Sequence, residues 1–208
     1  MNIDLEQTVE LFSGEKPFSL IAQALGFKTF AVDRDAATTP RLVGDIREIK
    51  PAQIPASPHL IWAVPPIACL FDAGSWSEDE PATAEAREAM DLMGTTLSLM
   101  HGSGAMWWFL ETPISLPRNL PLMSGFNRGH PSRVRHTINH EAYGGDKAQS
   151  SDIWTNAYWW SPRPENAEFA ASASRKPPRV PAPVFAEIFD QLEQYRLECE
   201  RAAAGKAG

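Results

Sequence analysis

Short apolar runs with strand character alternate with amphipathic stretches through the first third of the chain. Thr8-Val9-Glu10-Leu11-Phe12 is a compact run that ends in Ser13-Gly14. Behind it, Phe18, Ile21, Ala22 and Leu25 fall on one face at helical spacing, with Gly26 as the stop. Thr29-Phe30-Ala31-Val32 predicts a second strand that ends at Asp33. Leu42-Val43-Gly44-Asp45-Ile46 predicts a third, and His59-Leu60-Ile61-Trp62-Ala63 a fourth, closed by Pro65-Pro66. Strands and helices in this alternation predict an α/β fold, a mainly parallel Rossmann-like sheet with helices on both faces.

The pattern then changes. Residues 73–82 are polar and acidic and read as a loop. Thr83 suits the N-cap of a helix running to about Gly102, with Ala86, Ala89, Met90, Met93, Leu97 and Met100 as its apolar stripe. Residues 106–110 form a continuous apolar strand that should stop at Glu111-Thr112-Pro113. Residues 114–180, punctuated by Pro, Gly, Asn and Ser, read as irregular with short strands near 134–138 and 154–159. A last helix is expected over 183–203. The whole, 1–208, is expected to be one domain, with 124–180 as a small irregular insertion.

Composition adds limits. At 208 residues with 43% hydrophobic and 22% charged positions, the chain can bury a core and is not a disordered polyelectrolyte. The net charge of −7 argues against a grip on nucleic acid by the molecule as a whole. Locally the balance reverses: eight Lys and Arg face five acids over 124–180. Cys69 and Cys199 provide neither a disulfide framework nor metal-ligand spacing, so no metal is expected. With no long apolar run and no signal-peptide pattern, the expected location is cytoplasmic, without a membrane association.

Two features of the residues themselves suggest chemistry. A glycine at the carboxyl end of the first strand, Gly14, lets a ligand approach backbone amides, and the next helix would offer its N-terminus. Asp33, ending the second strand, is placed to accept from ribose hydroxyls. The same pattern also serves an ordinary turn. Arg128, Arg133 and Arg135 lie in a stretch that also holds Trp154, Tyr158 and Trp159, residue types suited to phosphate contact and base stacking. A solvated loop with ordinary surface charge has the same composition.

The order of these pieces resembles the carbon-5 cytosine DNA methyltransferases, in particular the short forms carried by phages and prophages. Leu11-Phe12-Ser13-Gly14, Ala31-Val32-Asp33 and Gly44-Asp45-Ile46 resemble the first three motifs. Trp62-Ala63-Val64-Pro65-Pro66 resembles the proline-proline-cysteine loop, and Phe109-Leu110-Glu111-Thr112-Pro113 the Glu-Asn-Pro or Glu-Asn-Val motif. Pro117-Arg118-Asn119-Leu120-Pro121 and Asp152-Ile153-Trp154-Thr155-Asn156 resemble segments of the phage group, and Val180-Pro181 the terminal motif. The resemblance implies an S-adenosylmethionine pocket lined by Phe12, Ser13, Gly14, Asp33, Asp45 and Ile46. It implies a catalytic loop at Pro65 and Pro66, a base-gripping Glu111, and DNA contacts from Arg118, Arg128, Arg133 and Arg135. It implies a DNA methyltransferase-like function.

The resemblance fails at one position. The family has a cysteine where this chain has Ile67, and attack on cytosine C6 requires a thiolate. The expected function is therefore base methylation by non-cysteine chemistry. The alternative is a catalytically degenerate fold acting as a DNA-binding, regulatory or protein-interaction module. Cys69 lies two residues beyond and reads as a buried thiol or, with a shifted loop, a displaced nucleophile.

Overall fold

The computed structural model describes residues 6–67, 76–77, 80–114, 123, 134–145, 149–163 and 180–205. Seven strands form one sheet: β1 (Gln7–Leu11), β2 (Lys28–Asp33), β3 (Leu42–Val43), β4 (Leu60–Ala63), β7 (Trp107–Pro113), β8 (Val134–Asn139) and β9 (Ser150–Thr155). Their order is β3-β2-β1-β4-β7-β9-β8. β3, β2, β1, β4 and β7 pair in parallel, and β9 is antiparallel to both β7 and β8. This is the expected open, mainly parallel Rossmann-like sheet. Chain order reverses direction between β1 and β4, which leaves a crevice at their carboxyl ends.

Helices cover both faces. α1 (Pro17–Ala24) and α3 (Ala182–Ala204) lie on one side, where Phe18, Ala22, Val184, Phe185 and Ile188 pack on Leu60, Trp62, Phe109 and Ile153. α2 (Ala84–Gly102) lies on the other, where Ala86, Ala89, Met93 and Met100 pack on Val9, Leu11, Ile61, Ala63 and Leu110. The period-2 alternation of each strand supplies both cores at once. Thr83 caps α2 as expected, its hydroxyl accepting from the Ala86 amide at 3.1 Å. α1 ends where Gly26 takes φ of +91°, a left-handed conformation that suits glycine.

Several elements differ from the sequence reading. The third strand stops at Val43, because the Asp45 carboxylate accepts the Arg47 amide and turns the chain. β7 runs on through Glu111 and Thr112, which pair with Ile153 and Asp152 of β9. β5 (Trp76–Ser77) and β6 (Glu80–Pro81) form a small antiparallel pair within the stretch read as a loop. Within 124–180, β8 falls on the short strand expected near 134–138, and β8 and β9 both extend the central sheet. β9 covers 150–155 rather than 154–159. Asn156 and Ala157 leave the ladder, Thr155 Oγ1 accepting from the Ala157 amide and the Tyr158 amide donating to the Asn156 carbonyl.

Asn156 also clamps the start of β7. Its Oδ1 accepts from the Trp108 amide at 2.8 Å, and its Nδ2 donates to the Met106 carbonyl at 2.9 Å. Asp152 Oδ1 accepts from Thr137, and Trp154 Nε1 donates to Thr112 Oγ1 at 2.9 Å. The Asp152–Asn156 block is thus structural, knitting β7, β8 and β9 together. No helix among the described residues is long and apolar enough to cross a membrane.

Candidate functional site

A cavity of about 490 Å³ opens at the carboxyl ends of β1, β2 and β4, where the chain order reverses. Ligand pockets commonly fall in this size range. Phe12, Ser13, Gly14, Asp33, Asp45 and Ile46 all line it, as do Pro66 and Glu111. Phe12 and Glu111, far apart in sequence, share this wall because β1 and β7 flank β4.

The loop after β1 is held tightly. The Ser13 amide donates to the Val32 carbonyl, and the Gly14 amide donates to Asp33 Oδ2 at 2.7 Å. Asp33 Oδ1 accepts from the Asp35 amide at 2.8 Å. Asp33 therefore orders the loop from across the crevice and still has lone pairs for a hydroxyl donor. Phe12 and Lys16 take φ near +60°, backbone that side chains other than glycine adopt at a cost. Lys16 is held there by its Nζ, which donates to the Thr39 carbonyl and hydroxyl, both at 3.0 Å. Pro17 then starts α1, so the Lys16-Pro17 pair does the turning that glycines would otherwise do.

Sequence reasoning missed Glu10. It is almost fully buried on β1, and its carboxylate accepts from the Phe18 amide at 3.3 Å and the Ser19 amide at 2.9 Å. The N-terminus of α1, expected to face a ligand, is thus occupied by this chain's own carboxylate. Burial pushes Glu10 up to about 7 despite these bonds. The one available signal was an acid inside an otherwise apolar run.

Asp45 is gripped by Arg47, whose Nε and Nη2 donate to its two oxygens at 2.9 and 2.6 Å. That hydrogen bonding holds Asp45 down to about 2. Arg34 and Arg47, neither singled out from sequence, also line the cavity.

Glu111 is buried on the same sheet face as Glu10 and Trp62. Ser151 Oγ donates to its Oε1 at 2.7 Å, and Oε2 has no partner among the described residues. Burial pushes Glu111 up to about 8, with the Ser151 bond opposing. It is a neutral acid near neutrality. Thr112 points to the opposite face and is consumed by Trp154.

Other expected residues fall elsewhere. Ile67 is 1% exposed and packs in the α2-side core with Leu11, Ala63 and Met93. Pro65 is absent from the cavity wall, and its carbonyl accepts from the Ile67 amide at 2.9 Å. Trp154 is fully buried, while Tyr158 and Trp159 join Trp107 and Tyr195 at the start of β7, the end of the sheet away from the cavity. The expected aromatic platform beside the cavity is therefore not formed by these three residues. Arg135 is exposed and lies over the Trp154 ring at 5.5 Å. Arg118, Arg128, Arg133 and Cys69 lie outside the described residues. Among the described residues no group of three or more His, Cys, Asp or Glu is arranged to hold a metal.

No protein-family profile matches the chain, and no curated protein matches it in sequence. Solved structures with similar backbones include a candidate RNA methyltransferase of Pyrococcus horikoshii, at 13% identity and a TM-score of 0.41 over 74% of this chain and 75% of that one. A mutant DNMT2 of Spodoptera frugiperda aligns at 15% identity and 0.48, over 85% and 57%. The S. pombe Dnmt2 methyltransferase aligns at 9% identity and 0.46, over 72% and 48%. This chain spans about half the length of the two Dnmt2 structures. At these levels none of the three assigns an activity to it.

Proposed function

We propose that the chain is an S-adenosylmethionine-dependent methyltransferase of the phage DNA methyltransferase type its motifs resemble, forming one unit over 1–208 and modifying a base in DNA without a cysteine nucleophile. The observation that carries this reading is the single cavity wall gathering Phe12, Asp33, Asp45, Ile46 and Glu111, residues drawn from four separate segments. The wall also has the marks of a polar ligand site. Among the described residues, Ser13 Oγ and Glu111 Oε2 are buried without partners, and the space where a side chain would stand on Gly14 holds no atom within 4 Å.

The electrostatics favour a cationic ligand over a dinucleotide. Rossmann-type sheets hold a pyrophosphate at the first helix N-terminus. Here Glu10 fills that position, and Glu15 and Asp33 add acids to the wall, while Arg47 is spent on Asp45. S-adenosylmethionine, when bound, supplies an electrophilic methyl group on a sulfonium. Asp33 would accept from the ribose, and Phe12 and Ile46 would enclose the adenine. Glu111 would donate to an extruded base, whose pairing edge needs a partner in an enclosed pocket. With Ile67 in the core, the acceptor is an exocyclic amine or an unusual atom rather than cytosine C5.

The burial of Ile67 also favours a second reading, a degenerate relative that keeps the ligand cavity as a DNA-binding, regulatory or protein-interaction module. Calorimetry separates the class from its rivals: S-adenosylmethionine binds with micromolar affinity and NAD does not. Absence of heat with S-adenosylmethionine at high micromolar concentration overturns both the enzyme reading and the cavity assignment. Tritiated methyl transfer to DNA and to RNA, followed by nucleoside analysis, then identifies the acceptor, and binding without transfer selects the degenerate reading.

A further inference from the structure

Behind Glu111 lies a buried hydrogen-bonded line that no motif in the sequence announces. Ser151 Oγ stands 2.7 Å from Glu111 Oε1 and 2.8 Å from His140 Nε2. All three side chains are at most 1% exposed. Ser151 is on β9 and His140 in the short turn after β8, so the line runs away from the cavity into the protein. A serine hydroxyl has a single hydrogen. The line therefore has two proton arrangements. If the hydrogen goes to Glu111 Oε1, His140 must donate from Nε2, and any proton on Glu111 sits on Oε2. If His140 instead accepts at Nε2, the serine hydrogen turns to it and the Glu111 proton moves to Oε1, leaving Oε2 an acceptor only.

We propose that His140, acting through Ser151, is a positioning residue that fixes Glu111 with its proton on Oε2, so that the cavity meets its ligand there with one O–H donor and selects a ring carrying an unprotonated nitrogen. The selection rests on the base-binding reading above; the positioning role does not. Three observations support it. Oε2 is the oxygen without a partner among the described residues, Glu111 reaches the cavity wall, and burial raises the acid to about 8. The surrounding charges do not override this. Glu10 on the same face is committed to the α1 amides, Glu187 on α3 to Tyr143 and the Arg163 amide, and His136 on β8 is held toward its neutral form by burial. At the cavity mouth Asp45 is paired with Arg47, Asp33 accepts from two amides, and Arg34 is the remaining cation of the wall among the described residues.

The test uses the full chain. Nitrogen NMR of the histidine rings is expected to find His140 as the Nε2–H tautomer. Cytidine, the probe, is expected to bind about tenfold more weakly to His140→Leu and Ser151→Ala, the cost of one misdirected buried hydrogen bond. His140→Gln and Ser151→Thr, which keep a donor and a hydroxyl, are expected to restore binding. 3-Deazacytidine, lacking the ring nitrogen, should bind wild type about tenfold more weakly than cytidine, and the difference should vanish in Glu111→Leu. An Nδ1–H tautomer, or His140→Gln behaving as His140→Leu, overturns the positioning role. No cytidine binding with the Nε2–H tautomer present overturns the base reading and the ring-nitrogen selection, while the tautomer upholds the positioning.

Discussion

Ile67, in the loop after β4, and Glu111, on β7, belong to segments that both reach the crevice, yet they differ in what their side chains meet. Ile67 turns into the α2-side core, where it is 1% exposed among Leu11, Ala63 and Met93. A thiol installed there would face methylene groups and not a base. Ile67→Cys is therefore expected to yield no 5-methylcytosine, and its thiol to react with a disulfide reagent far more slowly in the native than in the unfolded protein. Ile67→Ala should cost about 2–5 kcal/mol in urea unfolding, because the cavity left behind closes only partly. Formation of 5-methylcytosine by Ile67→Cys would mean that the loop can turn its side chain toward the crevice. At the same scale, the pairing with Arg47 holds Asp45 down to about 2, while burial raises Glu10 to about 7 and Glu111 to about 8 on the same wall.

Elements are joined here by side chains that a local reading takes as functional. Asn156 holds the first turn of backbone in β7 through the Trp108 amide and the Met106 carbonyl. Truncating it leaves a part-buried amide without that acceptor, so Asn156→Ala is expected to lower stability by about 1–3 kcal/mol in urea unfolding, with ligand affinity in the cavity nearly unchanged. A loss of affinity without a loss of stability would contradict this structural role. Trp154 and Thr112 make the equivalent tie deeper in the sheet. α1 is only eight residues long and gains its place from Phe18, stacked between Trp62 and Phe189, and from the Glu10 carboxylate at its first turn. That is the common case of a short helix made stable by tertiary packing and not by propensity.

At the scale of the molecule, two buried acids share one face of the sheet and both carry folded-state pKa values above their ordinary 4.5. Each binds its proton more tightly in the native state. Their contribution to stability is therefore full below about pH 4.5 and declines as pH rises, through about 7 for Glu10 and about 8 for Glu111. His59, whose pKa burial lowers, works in the opposite direction near its own range. Comparison with variants isolates the acids: relative to wild type, Glu10→Gln and Glu111→Gln should gain stability from about pH 5 to about pH 8.5, read as a rising difference in urea midpoints. A pH-independent difference would mean that neither acid is proton-loaded in the native protein.

How much of this was legible beforehand follows a physical line. Strand and helix identity came through, because the short apolar runs at 8–12, 29–33 and 59–63 and the period-3.6 stripe of α2 are local consequences of burial on two faces or one. Phe12, Gly14, Asp33, Asp45, Ile46 and Glu111, singled out from the sequence, line one cavity, whereas Glu10, Arg34 and Arg47 of the same wall were not singled out. β8 and β9 were harder to read, their strand character coming from pairing with β7 and with each other, which no local window contains. Glu10 was invisible as a site residue because its partners, the Phe18 and Ser19 amides, exist only once α1 folds back over β1. The chain by itself determined which segments form the sheet and which acids reach its carboxyl edge. Only the tertiary structure decided that Ile67 turns inward, that Glu10 closes the α1 N-terminus, and that His140 and Ser151 stand behind Glu111, because side-chain direction and proton placement depend on neighbours distant in sequence.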